Sequence, residues 1–147
     1  MLKKSEKAGG YVTHLWRSGA ASEVALYPNL TYDDSAWRAL FRDAQFRRAL
    51  SLAIRRKEIN KVLYFGLAKE RTVGALEESP FFDQANATAW TRFDLGEANR
   101  LLDELGLDKR SSAGIRLLPD GQPVEIIVET AGEWREVADV LELISAS

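Results

Sequence analysis

Residues 41–60, FRDAQFRRALSLAIRRKEIN, decide how this chain is read. At about 100° per residue, Phe46, Ala49, Leu50, Ala53 and Ile54 fall on one helical face. Leu52, Ile59, Val62 and Leu63 fall on another, turned from the first by roughly 180° on the same helical arithmetic. One straight helix would be apolar on opposite sides. Two consecutive helices meeting near Arg55 each bury a single stripe, and this is the predicted arrangement: 44–54, then 57–65, with Gly66 as the stop.

Working outward, Asp34 or Ser35 is placed to cap a short helix over 36–42 carrying Trp37, Leu40 and Phe41. Upstream, residues 11–17 and 23–27 alternate and are rich in Val, Tyr, Leu and Trp. They read as two strands joined through the turn-like stretch 18–22. Downstream, residues 68–90 show no period, and a loop of that length is unusual in a compact domain. Asp94-Leu95-Gly96-Glu97 is a capping box, in which Glu97 is expected to return a bond to the Asp94 amide. The helix it opens carries Leu95, Ala98, Leu101, Leu102 and Leu105 on one face, and Gly106 sits where a left-handed cap belongs. Residues 115–118 and 124–129 flank Pro119-Asp120-Gly121-Gln122, a hairpin signal. A last helix over 133–145 places Trp134, Val137, Ala138, Leu141 and Ile144 at core spacing. The fold class expected from this order is α/β, or mixed α+β, with a mixed sheet flanked by helices.

The pattern D-x-x-F-R-R-A-L-S-L-A-I-x-R-x-E-I, starting at Asp43 and followed by Tyr64-Phe65-Gly66-Leu67-Ala68, resembles the extracellular solute-binding proteins of family 5. The stretch from Phe93 through Leu107 resembles the family's "aspartate, helix, Leu-Leu, Gly" element, and residues 124–130 resemble the strand that follows it. The matching pieces run from Val24 to the end of the chain. The resemblance implies part of the second lobe of a periplasmic-binding-protein-like, two-lobed fold. Residues 11–147 would form that partial lobe, with 1–10 a flexible N-terminal segment. The first lobe and the remainder of the second would lie outside this sequence, in a longer precursor.

The same resemblance implies a binding protein rather than an enzyme. It would be the substrate-binding component of an ABC importer, capturing an oligopeptide or related small solute in the periplasm and delivering it to membrane permease subunits. No cofactor is implied. The strand leading into Asn29 borders the cleft in this family, which makes Trp16, Tyr27 and Asn29 the candidate ligand-binding residues. A partial lobe should not hold solute tightly by itself, and apolar surface shaped for the missing lobe should favour self-association. At the position of Arg55 the family commonly has Asp, which could cap the second helix; Arg55 cannot accept those bonds, leaving Asn60 or water to compensate.

Composition narrows the alternatives. The chain has 147 residues, 46% of them apolar, and four Trp, which is ample for a core. Twenty basic against 22 acidic residues, net −2, argue against electrostatic nucleic-acid binding. With no Cys there are no disulfides or cysteine nucleophiles, and His14, the single histidine, has no triad around it. One His without Cys also makes a zinc centre improbable, so no metal site is assigned. Glu125 and Glu129 share a strand face but stand roughly 13 Å apart at about 3.3 Å per residue. Glycosidase carboxylates need at most about 9.5 Å. The basic run Arg47, Arg48, Arg55, Arg56, Lys57 and Lys61 is most simply a solvated helix surface, with contact to a permease or to the missing lobe as the other reading. The N-terminus lacks the apolar run of a signal peptide, and no stretch approaches about 20 apolar residues. The alternatives are a stand-alone protein-interaction module and, third, a small hydrolase.

Overall fold

The computed structural model describes residues 2–14, 16, 22, 24–72, 74–130 and 135–146. Seven α-helices occur among them: α1 (Glu6–Gly9), α2 (Ser35–Arg42), α3 (Ala44–Ala53), α4 (Arg56–Leu63), α5 (Gln84–Thr88), α6 (Leu95–Glu104) and α7 (Arg135–Ser145). A short 3-10 turn, Leu2–Ser5, precedes α1.

The helical break expected near Arg55 is present. α3 ends at Ala53 because Ile54 turns extended, at φ −83° and ψ 123°, and α4 restarts at Arg56. Asp43 both closes α2 and opens α3. Its amide donates to the carbonyls of Ala39 and Leu40, while its carboxylate accepts from the amides of Gln45 at 2.6 Å and Phe46 at 3.4 Å. Asp34, Asp83 and Asp94 cap α2, α5 and α6 in the same way. α4 alone in the series α2–α6 starts on a residue, Arg55, whose side chain makes no cap.

α3 and α6 pack against each other as the centre of the fold. Ala49 and Leu52 meet Ala98 and Leu101, and the two alanines let the helices approach closely while Ala53, Trp90 and Leu102 seal the edges. Leu52 belongs to this seam although its helical position groups it with the α4 stripe, and it is completely buried. A second cluster of Phe46, Leu107 and Leu118 is flanked by Trp37, Leu40, Phe41 and Leu105. Leu107 reaches it through a Schellman turn: Gly106 takes φ +78°, its amide bonds Asp103, and the Leu107 amide bonds the Leu102 carbonyl at 3.1 Å. Glycine is needed there because a side chain at that φ is strained.

The expected mixed sheet does not form among the described residues. Two isolated antiparallel bridges occur, Arg110 with Arg116 and Leu117 with Pro123. The turn itself is as read from sequence: the Gly121 amide bonds the Leu118 carbonyl at 2.9 Å with Gly121 at φ +88°, and the Leu118 amide bonds the Gln122 carbonyl at 2.7 Å. No ladder continues past this turn: among the described residues, 125–129 have no neighbouring strand to pair with. The described parts of the two upstream strands, residues 11–14, 16 and 24–27, carry no ladder either; most of the turn proposed between them lies outside the described residues. Among the described side chains of α7 the buried one is Val140, which the core pattern omitted, and Ala138 is exposed. Trp134 lies outside the described residues.

Candidate binding groove

Between α3, α4, α7 and residues 24–28 lies an open groove of about 840 Å³. Its floor is apolar: Leu50 and Ile54 come from α3, Ile59 and Leu63 from α4, and Val140 and Ile144 from α7, while Val24 and Leu26 close one wall. The break at Ile54–Arg55 creates this floor. It swings the α4 stripe away from the α3–α6 seam, so Leu50 and Ile54 on one helix and Ile59 and Leu63 on the next face a common hollow.

The opposite wall is polar and rests on Asn60. Its amide nitrogen donates to the Ala68 carbonyl at 2.8 Å and its oxygen accepts from the Ala68 amide at 3.0 Å, as a neighbouring strand would. Asn60 therefore does not supply the cap missing at the start of α4. The chain it holds continues through Lys69, Glu70, Arg71 and Thr72 along the rim. Lys69 and Arg71 both pair with Glu77, at 2.6 and 3.4 Å. With Arg47 and Arg56 also lining the groove, its rim carries four cations against Glu70.

Arg56 has a structural task. Its guanidinium donates to the Ser51 carbonyl at 2.6 Å and to the Ser51 hydroxyl at 2.8 Å, finishing the C-terminus of α3. Burial disfavours its charge and lowers its pKa, while Glu70 opposes that shift. The basic run is thus largely occupied. Arg47 donates to the Phe41 carbonyl at 2.6 Å, Arg48 lies 4.8 Å over the Trp90 ring and Arg55 lies 5.2 Å over Phe93. A second hollow of about 660 Å³ is lined by Arg55, Lys57 and Arg92, of which Arg55 lies over Phe93 and Arg92 is paired with Asp94 at 3.2 Å.

The candidate ligand residues sit outside the groove. Trp16 and Tyr27 are 91% and 81% exposed. Asn29 is exposed too, but its side-chain oxygen accepts from the amide and hydroxyl of Thr31, both at 3.0 Å, in a local turn. Of the other loop aromatics, Trp90 packs into the α3–α6 core, Tyr32 meets Phe41 edge-on and Phe82 lies under Arg71; Phe81 stays exposed. The groove itself went unread in the sequence. Its floor residues look like ordinary core positions, and only the displaced stripes hinted that two of them would face away from the main seam.

Residues 3–147 match the family described as bacterial extracellular solute-binding proteins, family 5, middle. The oligopeptide-binding protein OppA has a similar structure, with a TM-score of 0.74 and 39% identity over 80% of this chain and 18% of that one. A periplasmic alpha-galactoside-binding protein of Rhizobium meliloti (strain 1021) is 31% identical over 97 residues, 63% of this chain and 14% of the relative. The chain therefore spans less than a fifth of either relative. Among the described residues, no helix is long and apolar enough to cross a membrane.

Proposed function

The chain belongs to the family 5 bacterial extracellular solute-binding proteins, and from that premise we propose that it is part of the second lobe of a periplasmic substrate-binding component of an ABC importer. In this reading it captures an oligopeptide or related small solute and delivers it to membrane permease subunits. The mechanism is closure of two lobes around the solute, without bond chemistry. The observation that carries the proposal is the likeness to OppA, at 39% identity and a TM-score of 0.74.

The exposed apolar surface supports the partial-lobe reading. Trp16, Tyr27, Phe65, Leu67 and Phe81 are each more than 80% exposed, a concentration that soluble surfaces seldom carry without a partner. Trp16, Tyr27 and Asn29 border the solute cleft here, and the first lobe covers much of the rest. Residues 24–27 and 124–129 join a mixed sheet when the remaining strands of the lobe are present.

Two measurements test this. Calorimetry of the chain against oligopeptide and α-galactoside mixtures should show no affinity in the micromolar range; micromolar binding by the chain alone would overturn the partial-lobe reading. Disrupting its reading frame in the source organism should reduce uptake of a labelled oligopeptide. Unchanged uptake of every peptide and α-galactoside supplied would overturn the import reading.

A further inference from the structure

Phe65 and residues 67–70 make one rim of the groove, on a segment slung between two fixed ends. The upstream end is the C-terminus of α4. Downstream, Thr72 donates through its amide to the Ala87 carbonyl at 2.9 Å and through its hydroxyl to the Asn86 carbonyl at 2.8 Å. Arg71 lies beside it, 5.9 Å over the Phe82 ring. Between these ends every residue from 65 to 69 is exposed, so no apolar burial holds the segment down. Asn60 does: its carbonyl accepts from the Gly66 amide at 3.0 Å, and its side chain bonds Ala68 in both directions and reaches the Glu70 carboxylate at 3.3 Å. The Lys69–Glu77 pair is solvent-exposed on both sides and adds little. Against this latch stands Phe65, at φ +54° in a turn closed by the Leu67 amide on the Tyr64 carbonyl at 2.9 Å. Left-handed backbone is costly for a residue with a Cβ, and a ring 81% exposed recovers none of that cost by packing.

We propose that residues 65–70 are a strap, latched by Asn60 and biased towards opening by Phe65. It lifts from α4 as one unit and widens the mouth of the groove, while α4 and the Thr72 anchor stay in place. A segment held by exposed polar bonds, with no buried apolar side chain, opens locally at far lower cost than the core. The latch belongs to this chain by itself and stands whether or not the transport reading does.

Native-state hydrogen exchange followed by NMR tests it. In the parent, the bonded amides of Gly66, Leu67 and Ala68 should share one protection factor, lower than those of Val62 in α4 and of Thr72. Asn60→Leu keeps the size and the main-chain carbonyl but removes the side-chain bonds. It should lower all three protection factors by about tenfold and leave Val62 and Thr72 unchanged. Phe65→Asn, a residue at home in left-handed backbone, should raise the same three by about fivefold. The chain has no Cys, so Ile59→Cys on the groove floor, where Ile59 is 8% exposed, reports access through thiol labelling. Labelling should quicken with Asn60→Leu and slow with Phe65→Asn, whereas Ala49→Cys in the α3–α6 seam should respond to neither. Three protection factors of one in the parent overturn the proposal, since no latch then exists. Faster exchange confined to Ala68 in Asn60→Leu does so too, because Asn60 then holds one residue and not a strap. Loss of protection at Val62 together with the three amides means that α4 melts with them, which is equally fatal. Labelling at Ile59→Cys that ignores both substitutions while exchange responds overturns the gating of the groove.

Discussion

The main-chain amide of Asp94 donates to the carbonyl of Leu52 at 2.9 Å, fastening the start of α6 to the end of α3. This bond displaces the expected capping box. Asp94 still caps the Glu97 amide at 2.9 Å, but Glu97 turns to Arg100 instead of back to Asp94. The two central helices are thus joined at one end by a backbone bond and along their length by Ala49, Leu52, Ala98 and Leu101. Asp94→Ala should leave that backbone bond possible while removing the cap. The melting temperature should fall, and hydrogen exchange at the Glu97 amide should accelerate more than at the Asp94 amide. Equal acceleration at both would mean that the cap and the helix junction open as one unit.

The same two carboxylates predict an acid limb. Bonding to the Glu97 amide holds Asp94 below its usual pKa, aided by Arg92; bonding to Arg100 does so for Glu97. A carboxylate depressed in the folded state stabilises it above the unfolded pKa, about 4. That stabilisation is lost as pH falls through the folded value. Thermal melts in steps from about pH 6 to 3 should therefore show a fall confined to the region below about pH 4. Asp94→Asn, which cannot titrate, should flatten it in part. A variant that melts with an unchanged acid slope would remove Asp94 from this account.

Leu52 has no exposed surface, and Leu52→Ala should cost about 2–5 kcal/mol, because α3 and α6 cannot collapse into the space left. Val62, 54% exposed on α4, is the control: Val62→Ala should change stability by no more than about 0.5 kcal/mol. Urea unfolding of both variants checks the contrast. It also tests the placement of Leu52, which the helical pattern assigned to the wrong side.

What could be read from sequence follows a physical division. Helix boundaries were legible because local chemistry sets them: an aspartate before α2 and α6, glycine at the end of α6, and two stripes that no straight helix could bury. α5 carried the same signal in Asp83 and was lost inside a long aperiodic loop. The sheet was not legible in the same sense. Alternation in residues 124–129 reports a preference for extended chain; a ladder also needs a neighbour, which is a property of distant sequence. The binding groove belongs to this second kind. Its floor combines α3, α4 and α7, so no single window contains it, and Trp16 and Tyr27 were chosen by family likeness because nothing local places them.

Arg55 is the position where sequence and structure pull in different directions. An aspartate there would accept helix amides, a bond worth about 1 kcal/mol. Yet Arg55 lies over Phe93 and pairs with Glu58 at 3.8 Å, and its ψ of 62° is far from the extended backbone of the Asp34, Asp43 and Asp83 caps. An exposed cation–π contact is worth about 0.5–1 kcal/mol, which offsets most of the gain expected from a cap. Arg55→Ala should therefore lower the melting temperature, and Arg55→Asp should recover to near the parent value. An Arg55→Asp variant well above the parent would show that the missing cap outweighs the ring contact.

Arg116 is buried at 8% exposure and ties three segments together. Its guanidinium donates to the Asp103 carboxylate at 2.6 Å, the Asn99 side-chain oxygen at 2.6 Å and the carbonyl of Leu107. The planar fork reaches all three at once, which a lysine ammonium on its flexible stem cannot do. Arg116→Lys should therefore cost about 1–3 kcal/mol, the range for leaving buried acceptors unmet. Asp103 is half exposed, so the ion pair itself is worth little, and Asp103→Asn should cost less than about 1 kcal/mol. Urea unfolding of the two variants separates the contributions. If Asp103→Asn proves as damaging as Arg116→Lys, the charge pair rather than the bonds to Leu107 and Asn99 holds the bridge region 110–118 against α6.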